Sequence, residues 1–200
     1  MNQSLLTIEE NIRLTDTVYQ MKLKGDVSGI TCPGQFVNLK LDGFFLRRPL
    51  SVCDCETGVL TLLYKVVGHG TRQMSGMTSG DKVDALCGLG NGFDLTRSGD
   101  KPLLIGGGVG VPPLYWTAKK LLAEGKRVSV AMGFNKAEEV FYEAEFRALG
   151  CDVTVTTVDG RWGCRGFVTD QMPKDYSYFY TCGPEPMLRA VYRTAATSGQ

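Results

Sequence analysis

Four short segments carry residue types whose spacing suits chemistry. Phe45-Leu-Arg-Arg-Pro-Leu-Ser51 sets two guanidinium groups a few residues before a hydroxyl. Arginine suits bidentate contact with a phosphate, and Ser51 offers a hydroxyl and a strand N–H. A surface basic pair beside an edge strand, where proline is tolerated, would read the same way. Val67-Gly-His-Gly-Thr71 places glycine and then a hydroxyl at the head of a short helix expected over 71–79, an arrangement open to an anion. His69 is the only histidine, and no cysteine or aspartate lies near it in sequence, as suits a solvated loop residue. Ile105-Gly-Gly-Gly-Val-Gly-Val-Pro-Pro113 is an apolar run passing through glycines into a helix. Small residues there let a phosphate-bearing nucleotide approach the backbone and the helix N-terminus. A tight strand-to-helix turn without a ligand would need the same glycines. The pattern departs from Gly-x-Gly-x-x-Gly, because proline stands third in Gly108-x-Gly110-x-x-Pro113. Tyr180-Thr-Cys-Gly-Pro-Glu-Pro-Met187 repeats the strand–glycine–helix logic, with Cys182 at a strand tip. Free cysteine also behaves as a small buried hydrophobe.

The elements that must position these segments fall into two halves. Tyr19–Lys24 and Phe36–Leu41 alternate apolar and polar residues, and Pro49–Cys53, Val59–Val67 and Asp81–Leu86 continue the series. Glycine-rich breaks separate them. Six or so short strands at this spacing predict an antiparallel β-barrel. From Pro102 the rhythm changes. Strands over 102–105, 127–132, 153–158 and 177–181 alternate with helices over 113–124, 137–149 and 184–196. That order predicts an α/β doubly wound parallel sheet, whose ligands bind beyond the carboxyl ends of the strands. The polar stretch 96–102 marks the boundary, giving domains 1–97 and 98–200.

Composition excludes several classes. Twenty-two basic and 21 acidic residues leave a net charge of +1, without the basic excess of a nucleic-acid protein. No apolar stretch reaches the roughly 18–20 residues needed for a membrane span. No basic and then apolar leader opens the chain, so a cytoplasmic location is expected. The 25 glycines exceed the usual fraction of about 7% and gather in short loops, which points to tight backbone geometry at particular sites. Seven cysteines without a Cys-x-x-Cys pair suit reduced thiols, and no metal site is expected from this chain alone.

Taken together, Arg48-x-x-Ser51, Gly70-Thr71, Gly108-x-Gly110-x-x-Pro113 and Cys182-Gly-Pro-x-x-Met187 resemble the ferredoxin–NADP reductase superfamily over essentially the whole chain. Within it, Arg47-Arg-Pro-Leu-Ser51, Tyr64-Lys-Val-Val-Gly-His-Gly-Thr71 and Gly88-Leu-Gly-Asn-Gly-Phe-Asp94 look most like the electron-transfer subunits of bacterial dihydroorotate dehydrogenases, which serve pyrimidine biosynthesis. The resemblance implies an FAD-dependent, NAD-linked oxidoreductase subunit paired with an FMN-containing catalytic subunit in a hetero-oligomer. It implies that Arg48 binds the FAD pyrophosphate. Pro49, Leu50 and Ser51 run along the isoalloxazine, with Ser51 near flavin N5. Leu63, Tyr64 and Lys65 line its other side, and Gly70 with Thr71 takes a phosphate. Gly108 and Gly110 admit NAD, while Cys182, Gly183 and Pro184, followed by Met187, form the nicotinamide pocket. Leucine at 50 replaces the tyrosine common in the superfamily, which weakens ring stacking there.

Members of the subfamily also carry a C-terminal segment with four cysteines for a [2Fe–2S] cluster. None of the seven cysteines here matches it, and the chain stops at Ser198-Gly199-Gln200, which reads as a truncation rather than a naturally cluster-free relative. Two other functions compete. One is an NAD(P)H-dependent flavin reductase module of a ferredoxin-, hydrogenase- or sulfide-linked complex. The other is a non-catalytic nucleotide-binding scaffold. The turn Gly133-Phe-Asn-Lys136 holds no carboxylate before Glu138, so the residues leave NAD against NADP open and the resemblance favours NAD.

Overall fold

A computed structural model describes residues 1–197, so the last three residues of the expected second domain, and with them the chain end, lie outside the described residues. The chain divides into two compact units, Met1–Phe93 and Asp94–Gln200. The division falls a few residues before the expected boundary at 97. Asp94 belongs with the second unit, where its backbone carbonyl accepts a 2.9 Å hydrogen bond from the Tyr180 hydroxyl.

The first unit contains strands β1 (Asn2–Arg13), β2 (Val18–Lys24), β3 (Phe36–Lys40), β4 (Arg48–Glu56) and β5 (Val59–Lys65), helix α1 (His69–Ser75) and strand β6 (Lys82–Leu89). The strands close into an antiparallel barrel in the order β1-β2-β5-β4-β3-β6. Closure leaves no unpaired sheet edge. Alternate residues point inward, so Leu6, Ile8, Met21, Leu23, Val37, Leu39, Leu60, Leu62 and Ala85 are fully buried. In register, Met21 faces Leu62 and Leu23 faces Leu60. The pairing of β4 with β5 slips between Val52 and Asp54, and this bulge lets Val52 and Cys53 both be buried.

The first strand was absent from the sequence expectation. Its inward positions begin with Ser4, whose hydroxyl donates to the Asp26 carbonyl at 2.7 Å, while Leu5 points outward and is 61% exposed. Apolar alternation is therefore inverted where the strand starts. Helix α1 begins two residues earlier than predicted and stops before Gly76. The Thr71 hydroxyl accepts from the N–H groups of Val67 and Gly68, at 3.0 and 3.2 Å, and so fixes the loop that enters the helix.

Arg47 ties three barrel strands together. Its two terminal nitrogens donate to the two Asp84 carboxylate oxygens at 3.0 Å each, and one also donates to the Asn38 carbonyl at 3.3 Å. Gln3 donates to the same carboxylate at 3.0 Å. The Arg47 hydrogen bond holds the Asp84 carboxyl below its ordinary value of 3.8. A folded-state pKa below the unfolded one stabilises the fold above the unfolded value, and that contribution disappears as pH falls through the folded value. Arg47→Ala should therefore lower stability at neutral pH by about 1–2 kcal/mol, allowing for partial exposure of the pair. The difference from the parent should narrow when urea unfolding is repeated near pH 3. An equal deficit at both pH values would show that packing alone is responsible.

The second unit opens with a 3-10 turn over Leu95–Arg97. There follow β7 (Pro102–Gly107), α2 (Pro112–Ala123), β8 (Ser129–Phe134), α3 (Glu143–Ala148), β9 (Asp152–Thr157), β10 (Cys164–Arg165), β11 (Tyr178–Cys182) and α4 (Glu185–Thr197). The sheet is parallel, in the order β10-β9-β8-β7-β11. The chain moves outward from β7 through β8 to β10, then crosses back to place β11 on the other side of β7. The β7–β11 pair is thus the switch point where an open parallel sheet offers a crevice. Leu103, Ile105, Ala131, Val168 and Val191 form a core beneath it.

The helix expected over 137–149 is broken. A 3-10 turn spans Ala137–Glu139, Val140 is extended, Tyr142 is left-handed at φ 66°, and only Glu143–Ala148 is α-helical. The break allows consecutive aromatics to be buried. Phe141 meets Phe134 edge-on at 5.4 Å, and Tyr142 meets Tyr115 at 5.1 Å. Successive residues of a continuous helix diverge by about 100°, which would carry one of the rings outward.

Candidate functional site

In the barrel unit, adjacent arginines have different fates. Arg47 is committed to Asp84, whereas Arg48, at the first position of β4, has no carboxylate partner among the described residues. One Arg48 terminal nitrogen donates to the Leu46 carbonyl at 2.6 Å, and the guanidinium carbon lies 4.6 Å from the centre of the Phe44 ring. Beside it is a cavity of about 270 Å³ lined by Phe44, Arg48, Val67, Gly68, His69, Gly70 and Thr71. The structure thus brings Arg48, Gly70 and Thr71 to one place, and it adds Phe44, which the sequence reading did not single out. The available signal was an aromatic residue just before the arginine pair. His69 is exposed as expected, but it is the first residue of α1 rather than a loop residue.

Gly70 is buried because the Arg48 side chain crosses it. A Cβ there would stand 2.9 Å from Nη2 and 3.0 Å from Cζ, and nearer still to Nε. Only glycine lets the guanidinium lie at this point. A half-buried cation without a carboxylate partner, beside a cavity with exposed glycine backbone at Gly68, fits an anionic group such as a pyrophosphate.

The strand residues beyond Arg48 divide by exposure. Pro49 is exposed, and Leu50 and Ser51 are half-buried and paired with Val37 and Phe36 on β3. Leu63 and Tyr64 were expected to line a ligand, but they are only 4% and 1% exposed. The Tyr64 hydroxyl donates to Asn11 Oδ1 at 3.0 Å, and its ring stacks on Tyr19. Asn11 in turn donates to the carbonyls of Met74 and Met77 at 2.8 and 2.9 Å. The Tyr64 hydroxyl therefore holds the Asn11 side chain that ties β1 to the end of α1, and both Leu63 and Tyr64 are buried within the barrel unit. This corrects the expectation for their side chains. Burial also pushes the Tyr64 phenol up to about 12, so it stays protonated. Lys65 is half-buried at the end of β5.

In the parallel-sheet unit, the loop after β7 and the loop after β11 touch. Cys182 pairs in register with Gly106. A Cβ on Gly110 would lie 2.6 Å from the Gly183 Cα and closer still to the Cys182 carbonyl. One on Gly183 would lie 2.7 Å from Met187 Cε. Glycine at 110 is therefore required by packing against backbone, whereas at 107 and 183 an added Cβ would meet chiefly the flexible end of the Met187 side chain. At Gly110 the backbone of Cys182 and Gly183 gives a reason for glycine beyond ligand approach. Gly108 differs, since its φ is +52° and nothing lies within 4 Å of its Cβ direction. Its backbone stands open at the carboxyl end of β7, as a nucleotide phosphate requires. Pro184 is exposed, and Met187 is half-buried against Gly107. Cys182 is partly exposed, and burial raises its thiol above the usual range, which keeps it protonated at neutral pH. Among the described residues, no group of three or more His, Cys, Asp or Glu side chains could hold a metal ion.

Known proteins with a related sequence or fold share this layout. An oxidoreductase NAD-binding domain family matches residues 104–193. The electron transfer subunit of dihydroorotate dehydrogenase B (NAD(+)) from Fusobacterium nucleatum subsp. nucleatum is 40% identical over 96% of this chain and 80% of its own length. The same subunit from Bacillus velezensis is 42% identical over 96% of this chain and 78% of its own. Among solved structures, an NADH-dependent reduced ferredoxin-NADP oxidoreductase studied for flavin-based electron bifurcation superimposes with a TM-score of 0.85. It shares 29% identity over 96% of this chain and 72% of that one.

Proposed function

Since the chain belongs to the family of dihydroorotate dehydrogenase B electron transfer subunits, we propose that it holds FAD on its barrel unit and NAD on its parallel-sheet unit, and carries electrons from a catalytic partner subunit to NAD. The observation that supports this most directly is the Arg48–Gly70 cavity, a cation held without a carboxylate partner where a dinucleotide's pyrophosphate would lie. We further propose that the partner contains FMN, in keeping with the resemblance of the sequence motifs. No helix among the described residues is long and apolar enough to cross a membrane. A cytoplasmic location is supported by the seven cysteines, all of which are free thiols.

Bound FAD would supply hydride exchange with nicotinamide and onward transfer of single electrons. The chain's part is placement and electrostatics. Arg48 neutralises the pyrophosphate, Gly70 leaves space for that guanidinium, and Thr71 holds the loop that lines the cavity. Ser51 and the backbone of Leu50 give the flavin ring hydrogen-bonding groups along β4. The open backbone at Gly108 receives the phosphates of NAD, and Cys182, Gly183 and Pro184 form the floor on which the nicotinamide rests. A neutral Cys182 thiol touches the ring without forming a bond to it.

Anaerobic NADH should bleach the flavin absorbance of the FAD-loaded chain. Mixed with its catalytic subunit and dihydroorotate, this 200-residue chain should reduce NAD only slowly, because none of its seven cysteines matches the cluster motif of the family. A protein that takes up no FAD would sink the reading and return the scaffold alternative.

A further inference from the structure

Phe44 is half-buried in the turn between β3 and β4, and its ring face is covered by the Arg48 guanidinium at 4.6 Å. The Leu46 carbonyl fixes one edge of the same group at 2.6 Å, and the missing side chain of Gly70 gives it room on another side. We infer that Phe44 is a positioning residue: its ring holds the Arg48 side chain ready above the cavity, so that a nucleotide pyrophosphate meets a cation already in place. This rests on the reading of Arg48 as the pyrophosphate contact.

The physical reason lies in the arginine side chain itself. A long chain with many rotamers must otherwise be ordered at the moment of binding, and that ordering weakens association. A cation over an aromatic face is held by the ring quadrupole, and the ring face remains effective where water is partly excluded. Leucine at 44 would fill similar space without a quadrupole. Tyrosine would keep the ring face. The guanidinium covers one face of Phe44 while the ring also lines the cavity, so the test must separate action through Arg48 from direct contact with the ligand.

The test measures FAD dissociation constants of the apoprotein by flavin fluorescence quenching, so the readout is binding and not turnover. Phe44→Leu should weaken FAD roughly three- to tenfold, and Phe44→Tyr should restore affinity to within about twofold of the parent. Thermal unfolding of both variants should match the parent, since Phe44 lies outside the barrel core. Made on an Arg48→Ala background, Phe44→Leu should have almost no further effect, because the side chain it positions is gone. A full Phe44→Leu effect on that background would overturn the inference in favour of direct contact between ring and ligand. Parent-like affinity in Phe44→Leu, or no rescue by tyrosine, would also overturn it. Unchanged affinity in Arg48→Ala alone would remove the pyrophosphate reading and this inference together, whereas an Arg48 effect without a Phe44 effect removes only the inference.

Discussion

Replacing Gly110 by valine is expected to destabilise the parallel-sheet unit rather than merely close its nucleotide site. The added Cβ is directed at the Cys182 carbonyl and lies 2.6 Å from the Gly183 Cα. Both neighbours are backbone at the end of β11, a strand hydrogen-bonded along its length to β7. A flexible side chain could swing aside, but a strand end can move only by breaking its pairing. Overpacking of a well-filled interior costs about 1–3 kcal/mol and occasionally more, and a clash with backbone belongs at or above the upper end. With about 4 °C or more of Tm lost per kcal/mol in a unit of roughly 100 residues, a fall of about 12 °C or more is expected in the transition of this unit. Gly108→Ala is the contrasting variant. Its left-handed φ of +52° adds strain of about 1–2 kcal/mol, but the new methyl points into open space. That variant should stay folded and show at least a roughly fivefold higher KM for NADH, because the methyl stands where the phosphates approach. Gly110→Val with parent-like melting and a raised KM would reverse the two roles and restore ligand approach as the reason for glycine at 110.

The contrast between these glycines marks a limit of what the sequence made legible. The run Gly106–Gly110 announced a tight strand-to-helix passage, and the passage is there. Which glycine faces a neighbouring loop and which faces open space depends on where β11 lies, and β11 is more than sixty residues further along the chain. Alternation predicted β2 and β3 because Met21 and Leu23, and likewise Val37 and Leu39, point into the barrel at every second position. It missed β1, where Ser4 faces inward and Leu5 outward, since a buried serine satisfied by the Asp26 carbonyl is invisible to a hydrophobic pattern. The spacing over 137–149 predicts a single helix, and the structure breaks it for a related reason. Helical spacing was present, but two consecutive aromatics found separate aromatic neighbours, and tertiary packing prevailed over local propensity. Tyr64 was assigned to a ligand through family resemblance, while its hydroxyl is held by Asn11 from a strand the sequence reading had not found.

Arg48→Ala is expected to weaken FAD binding by about one to two decades while leaving the barrel as stable as the parent. The side chain supplies a charge-assisted contact to phosphate, and removing such a contact costs on the order of 1.5–3 kcal/mol. Its neighbour provides an internal control. Arg47 spends its guanidinium on Asp84 and the Asn38 carbonyl, so Arg47→Ala should lower stability while changing FAD affinity little. Two adjacent residues of the same type thus predict opposite phenotypes, a pattern that a general loss of positive charge near the site cannot produce. Arg48→Lys should fall between parent and alanine, because an ammonium keeps the charge but not the planar fork that meets two phosphate oxygens. The parent should also lose FAD affinity as salt rises, and Arg48→Ala should show a flatter dependence, since a partly exposed ion contact is screened. Isothermal titration of apoprotein with FAD at two ionic strengths, with thermal unfolding on the same samples, measures all four expectations. Equal FAD affinity in Arg48→Ala and the parent, or a stability loss matching that of Arg47→Ala, would show that both arginines are structural and that the cavity serves some other ligand.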